Sequence, residues 1–113
     1  MTKAIYIAYL TGIAGQTIGL FYIGDGIFSG VDAGTMQYNG SYKPKNDGSL
    51  EGVVEYVVPT GVSLITGAPV GGTSVRASVK LALPSNFANG QTIAFETPLG
   101  PVNVRFEKLK DIP

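Results

Sequence analysis

The chain has 113 residues, with eight basic and eight acidic side chains and no formal net charge, and it contains no cysteine, histidine or tryptophan. At this length one domain, spanning 1–113, is the expectation, and a composition 44% hydrophobic but only 14% charged excludes a disordered chain. The missing residue types exclude a disulfide framework, a zinc–thiolate site and the usual histidine-based triads, while zero net charge argues against nucleic-acid binding and removes a barrier to self-association.

The N-terminal run 4–10 follows Lys3 and is entirely apolar until Thr11 and Gly12 interrupt it. It is far shorter than the roughly 20 residues that cross a bilayer. It reads as an uncleaved first strand, which sets the expectation of a cytoplasmic protein without a membrane span.

Alternation with period two dominates the rest of the chain. Met36, Tyr38, Gly40 and Tyr42 share one strand face, with Thr35, Gln37, Asn39 and Ser41 on the other. Leu50, Gly52, Val54 and Tyr56 continue the apolar row opposite Glu51 and Glu55. Val75, Ala77, Val79, Leu81 and Leu83 alternate with polar residues, as do Val102, Val104 and Phe106. Such alternation marks strands with one buried and one wet face.

Breakers fall between these runs. Gly24-Asp25-Gly26, Asn46-Asp47-Gly48 and Asn89-Gly90 are hairpin turn signals, and Pro98-Leu99-Gly100-Pro101 is another turn. Eight strands are expected, near 2–10, 16–23, 26–31, 35–43, 48–58, 73–83, 91–97 and 101–109. The stretch 59–72, rich in glycine and proline, allows at most one short helical turn near 62–65. Eight consecutive strands bury their edges by closing. The fold class is therefore all-β: an eight-stranded antiparallel up-and-down barrel. A barrel of that size is filled by side chains or holds one small ligand.

Candidate sites are few. Gly24-Asp25-Gly26 lacks the following helix that a dinucleotide loop needs, so it reads as a hairpin turn and no cofactor is expected. Asp25, Asp32 and Asp47 are dispersed beside turns, which suits turn capping better than a metal site or a carboxylate pair. The tyrosines are more informative. Tyr38, Tyr42 and Tyr56 share the inward face and, with Phe95 and Phe106, are candidates to line an apolar pocket. Their hydroxyls either make that pocket semi-polar or sit at the barrel rim, and the rim is the preferred placement.

The segment Gly30-Val31-Asp32-Ala33-Gly34, followed by Tyr38-Asn39-Gly40-Ser41-Tyr42 and a strand opening Ser49-Leu50-Glu51-Gly52, resembles the GrlR-like family of type III secretion negative regulators. The resemblance implies a small eight-stranded barrel, lipocalin- or calycin-like, that is dimeric and acts by binding. In that family four consecutive acids in the turn after the Tyr-x-Gly segment hold a transcriptional activator. Here the corresponding turn is Pro44-Lys45-Asn46-Asp47, and only Asp47 keeps an acid. Lys45, Asn46 and Asp47 are the partner-binding turn that the resemblance implies.

The leading expectation is thus a non-enzymatic regulatory module that works by protein contact, its partner a transcriptional regulator. The alternative is a barrel carrying a small apolar ligand. An enzyme using tyrosine and carboxylate chemistry is the least favoured. Apolar residues on both faces of strand 2–10 (Ile5, Ile7, Tyr9 and Ala4, Tyr6, Leu10) further imply a homodimer packed on that strand or its neighbour.

Overall fold

The computed structural model describes residues 3–58, 65, 67 and 75–113. It is all-β, with β1 Ala4–Gly12, β2 Gly15–Gly24, β3 Ile27–Asp32, β4 Gln37–Pro44, β5 Leu50–Val58, β6 Val75–Leu83, β7 Asn89–Thr97 and β8 Gly100–Asp111. The expected strands are all present, with ends displaced by no more than about two residues, the normal fraying of such boundaries. The short helical turn expected near 62–65 falls largely outside the described residues. Ile65 itself lies in a turn.

The strands form one antiparallel sheet in the order β6-β5-β4-β3-β2-β1-β8-β7. This is a meander rolled until β8 pairs with β1, from Ala4 against Asp111 to Thr11 against Asn103. The barrel is nearly closed. Full closure, expected as the way to remove both edges, is not reached among the described residues, where β6 pairs only with β5 and β7 only with β8. The connection between them is responsible. Pro84 opens a turn in which the Phe87 amide donates to the Pro84 carbonyl at 3.1 Å, and Phe87 is turned into the core. A two-residue hairpin would have continued the ladder, and this longer inward loop does not.

The sheet's inner face is apolar throughout. Tyr6, Phe21, Ile23, Phe28, Leu50, Val54, Leu81, Leu83, Val104 and Phe106 are buried there, and among the described residues no polar or charged side chain is buried. Glycine lets the wall bend. A Cβ on Gly52 would collide with the Ser41 carbonyl, and one on Gly30 with the Leu20 carbonyl and the Phe21 ring. Both positions need glycine because the neighbouring strand crosses at close range.

The up-and-down course assigns every connection to one of two ends. Turns 24–27, 45–49 and 84–88 lie at the end where the chain begins. Turns 12–15, 32–36 and 97–100 lie at the other. The first end is plugged: Phe87 packs on Tyr6 with ring centroids 5.1 Å apart and on Phe106 at 5.5 Å, and Ile23, Leu50 and Leu83 are almost wholly buried.

Candidate functional site: an apolar cavity with one polar corner

At the second end the core is not filled. A cavity of about 170 Å³ runs from the mid-barrel aromatic layer to the turns at 32–36 and 97–100. Phe21, Phe28 and Phe106 form its floor and pack on one another with centroids 5.1 to 6.4 Å apart. Val54, Val79, Leu81, Phe95 and Val104 make the wall, and Met36, Ile65 and Leu99 stand near the mouth. Its volume is similar to that of the roughly 150 Å³ apolar cavities that take up benzene, although its mouth opens to solvent.

The mouth carries a built polar corner. Asp32 ends β3, and its Oδ1 accepts the Gly34 amide at 2.9 Å and the Met36 amide at 3.1 Å. Its Oδ2 accepts the Tyr38 hydroxyl at 2.7 Å. These bonds hold a turn in which Thr35 stands at φ 67, an unusual conformation for a β-branched residue. Burial, then the hydrogen bond to Asp32 and its negative charge, push the Tyr38 phenol far above its ordinary range. Tyr38 therefore stays neutral and donates. The ring of Tyr56 lies 5.3 Å from that of Tyr38, and burial raises its phenol, opposed by a hydrogen bond with Thr97. Thr97 in turn caps its own turn, donating from Oγ1 to the Gly100 carbonyl at 2.6 Å and accepting from the Leu99 amide at 3.1 Å.

Four of the five expected lining residues, Tyr38, Tyr56, Phe95 and Phe106, lie on the cavity wall. Tyr42 does not. It shares the inward row with Tyr38 but sits four residues on, at the plugged end beside the β2–β3 turn, where its amide donates to the Gly26 carbonyl at 3.0 Å. Period two gives a residue's face, and depth depends on where along the strand it falls. Asp32 is the site residue that sequence reasoning missed, because its place beside a glycine turn marks it only as a turn cap. The signal was available: odd strands end at the same barrel end as the turn at 32–36, which brings Asp32, Tyr38 and Tyr56 together.

The turn implied as a partner contact lies at the plugged end. Lys45 pairs with Glu51 at 3.3 Å, and Asp47 Oδ1 accepts from Ser49, from its hydroxyl at 2.6 Å and its amide at 2.9 Å. Those bonds lower the Asp47 pKa below the usual carboxylate range. Asp47 and Lys45 are engaged within their own hairpin, and Asn46 is exposed at its tip.

Outside the barrel, Ile5, Ile7 and Tyr9 on β1 lie beside Tyr22, Leu20 and Ile18 on β2, and Leu20 beside Val31 on β3. Ile18, Leu20 and Val31 are 47, 49 and 43% exposed. Charged residues of β8 border this patch on one side, with Arg105 stacked on the Tyr9 ring at 4.2 Å. Polar Gln37, Asn39 and Ser41 of β4 border it on the other.

Among the described residues no group of three or more acidic, histidine or cysteine side chains could hold a metal ion, and no helix is long and apolar enough to cross a membrane. Comparison of the chain with protein-family models, curated sequences and solved structures finds no match.

Proposed function

We propose that the protein is a non-enzymatic binding barrel that holds one small apolar molecule in its cavity. The observation that carries this reading is a hollow left by the described residues at one end of the barrel, with an apolar wall and a structured polar corner at its mouth. Convergent polar groups at the edge of an apolar hollow are the usual form of a small-molecule site. Titrating the protein with toluene while following amide and methyl resonances tests the reading. Saturable shifts centred on Val54, Leu81, Phe95 and Val104 support it. Shifts that are absent, or spread over the outer surface, contradict it.

The outer apolar face of β1–β3 favours a second, compatible reading, in which the barrel also acts through protein contact. Scattered exposed apolar residues need no explanation, but a contiguous patch across three strands marks an interface. A second copy of the chain suits it. Zero net charge offers no repulsion between copies, and charges of both signs along β8 allow a two-fold contact to match them. Contact in the manner of the GrlR-like regulators, with a transcriptional regulator as the partner, would use this face rather than the turn at 44–48, whose charges are engaged within their own hairpin. A cytoplasmic setting accords with this reading.

A further inference from the structure

We propose that the cavity selects a one-ring apolar molecule bearing a hydrogen-bond donor, a hydroxyl or N–H group, that points to Asp32, and that it rejects the isosteric carboxylate. This rests on the ligand-binding reading above and specifies the chemistry of its occupant. The size comes from the volume of about 170 Å³, and the ring from the wall, where Phe21, Phe28, Phe95, Phe106, Tyr38 and Tyr56 offer aromatic faces and edges.

The head-group preference is set by charge and donor supply at the mouth. Asp32 is the only charged side chain among the described cavity-lining residues. The connection 59–74 contains no charged residue of either sign, so it supplies no cation. The Tyr38 proton is committed to Asp32 Oδ2, and the Thr97 hydroxyl proton to the Gly100 carbonyl; the other hydroxyls of the described lining, on Thr17 and Tyr56, are neutral and do not offset a second negative charge. What the Asp32–Tyr38 corner leaves toward the cavity is the acceptor capacity of a carboxylate and a phenol oxygen. A ligand hydroxyl satisfies it. A ligand carboxylate instead brings a second negative charge beside Asp32, and the described lining residues supply no cation to offset it.

Three probes of nearly one shape separate the outcomes: benzyl alcohol, toluene and benzoate, titrated at neutral pH against the wild type, Asp32→Asn and Glu55→Gln. In the wild type, benzyl alcohol is expected to bind about tenfold or more tightly than toluene, the scale of a hydrogen bond to a charged acceptor, with benzoate weakest. Asn keeps an oxygen for the Gly34 and Met36 amides while presenting an NH₂ group, so Asp32→Asn should cut the preference for benzyl alcohol over benzoate by at least about tenfold. Glu55→Gln removes a carboxylate that pairs with Arg76 on the outer face, away from the cavity, and should retain the preference. Benzoate binding as well as benzyl alcohol in the wild type, or a ratio unmoved by Asp32→Asn, overturns the proposal. Toluene binding as tightly as benzyl alcohol overturns the donor requirement and leaves the cavity reading standing. Failure of all three probes to bind removes the cavity reading, and this one with it.

Discussion

At the scale of single residues, the Asp32–Tyr38 contact joins stability to pH. The Tyr38 phenol is held above its ordinary value of 10.0, chiefly by burial. The fold therefore favours the neutral form. A group with a raised folded pKa contributes stability that is complete below the unfolded value and is lost as pH rises toward the folded one. The wild type should thus lose stability above about pH 10, and Tyr38→Phe should flatten that loss. Urea midpoints across the alkaline range measure it, and equal slopes for the two proteins would speak against a buried donor at this position. Thr35 makes a second case. Its left-handed backbone costs a β-branched residue about 1–2 kcal/mol, whereas asparagine tolerates the conformation. Thr35→Asn is expected to raise stability by about 0.5–1 kcal/mol. A decrease would mean that the threonine side chain makes compensating contacts in the turn.

At the scale of elements, the seam between β6 and β7 is the least constrained part of the barrel. Both strands carry features that discourage a foreign strand from adding there: Arg76 and Lys80 on β6, Glu96 on β7, and the register shift between Asn89 and Thr92. The seam-facing amides of β6 and β7 should exchange with solvent faster than those of β1, which is paired on both sides. Uniform protection around the barrel would show that the seam is bridged. The strands themselves were legible because alternation survives in short runs such as Val102, Val104 and Phe106, and because glycine and asparagine mark the hairpins. The seam was not, because it depends on Phe87 turning inward from a loop, and an aromatic residue between Asn86 and Ala88 gives no period to read. Nor was the polar corner fully legible. Asp32 reaches Tyr38 only through a turn held at positive φ by Thr35, the type of residue that sequence rules place there last.

At the scale of the whole molecule, two surfaces of different kind lie on one small barrel: an apolar hollow inside and an apolar patch outside. The outer patch makes a homodimer the expected state. Sedimentation at tens of micromolar, about where weak interfaces fill, should show dimer for the wild type and monomer for Leu20→Asp. Leu20 is half-exposed and its substitution leaves the core untouched. A wild type that remains monomeric there would limit the protein to its interior.

The function proposed for the barrel stands or falls with that interior, and a substitution that fills the hollow is its sharpest test. Val79 lines the cavity on β6 without belonging to its aromatic floor. Val79→Phe should occupy the space, and a folded variant can be recognised by an unchanged pattern of outer-strand amide resonances. Titrated with benzyl alcohol, the wild type should show saturable shifts around Leu81, Phe95 and Val104, and Val79→Phe should show none. Equal binding by the two proteins, or none by either, would contradict a barrel built to hold a small apolar molecule.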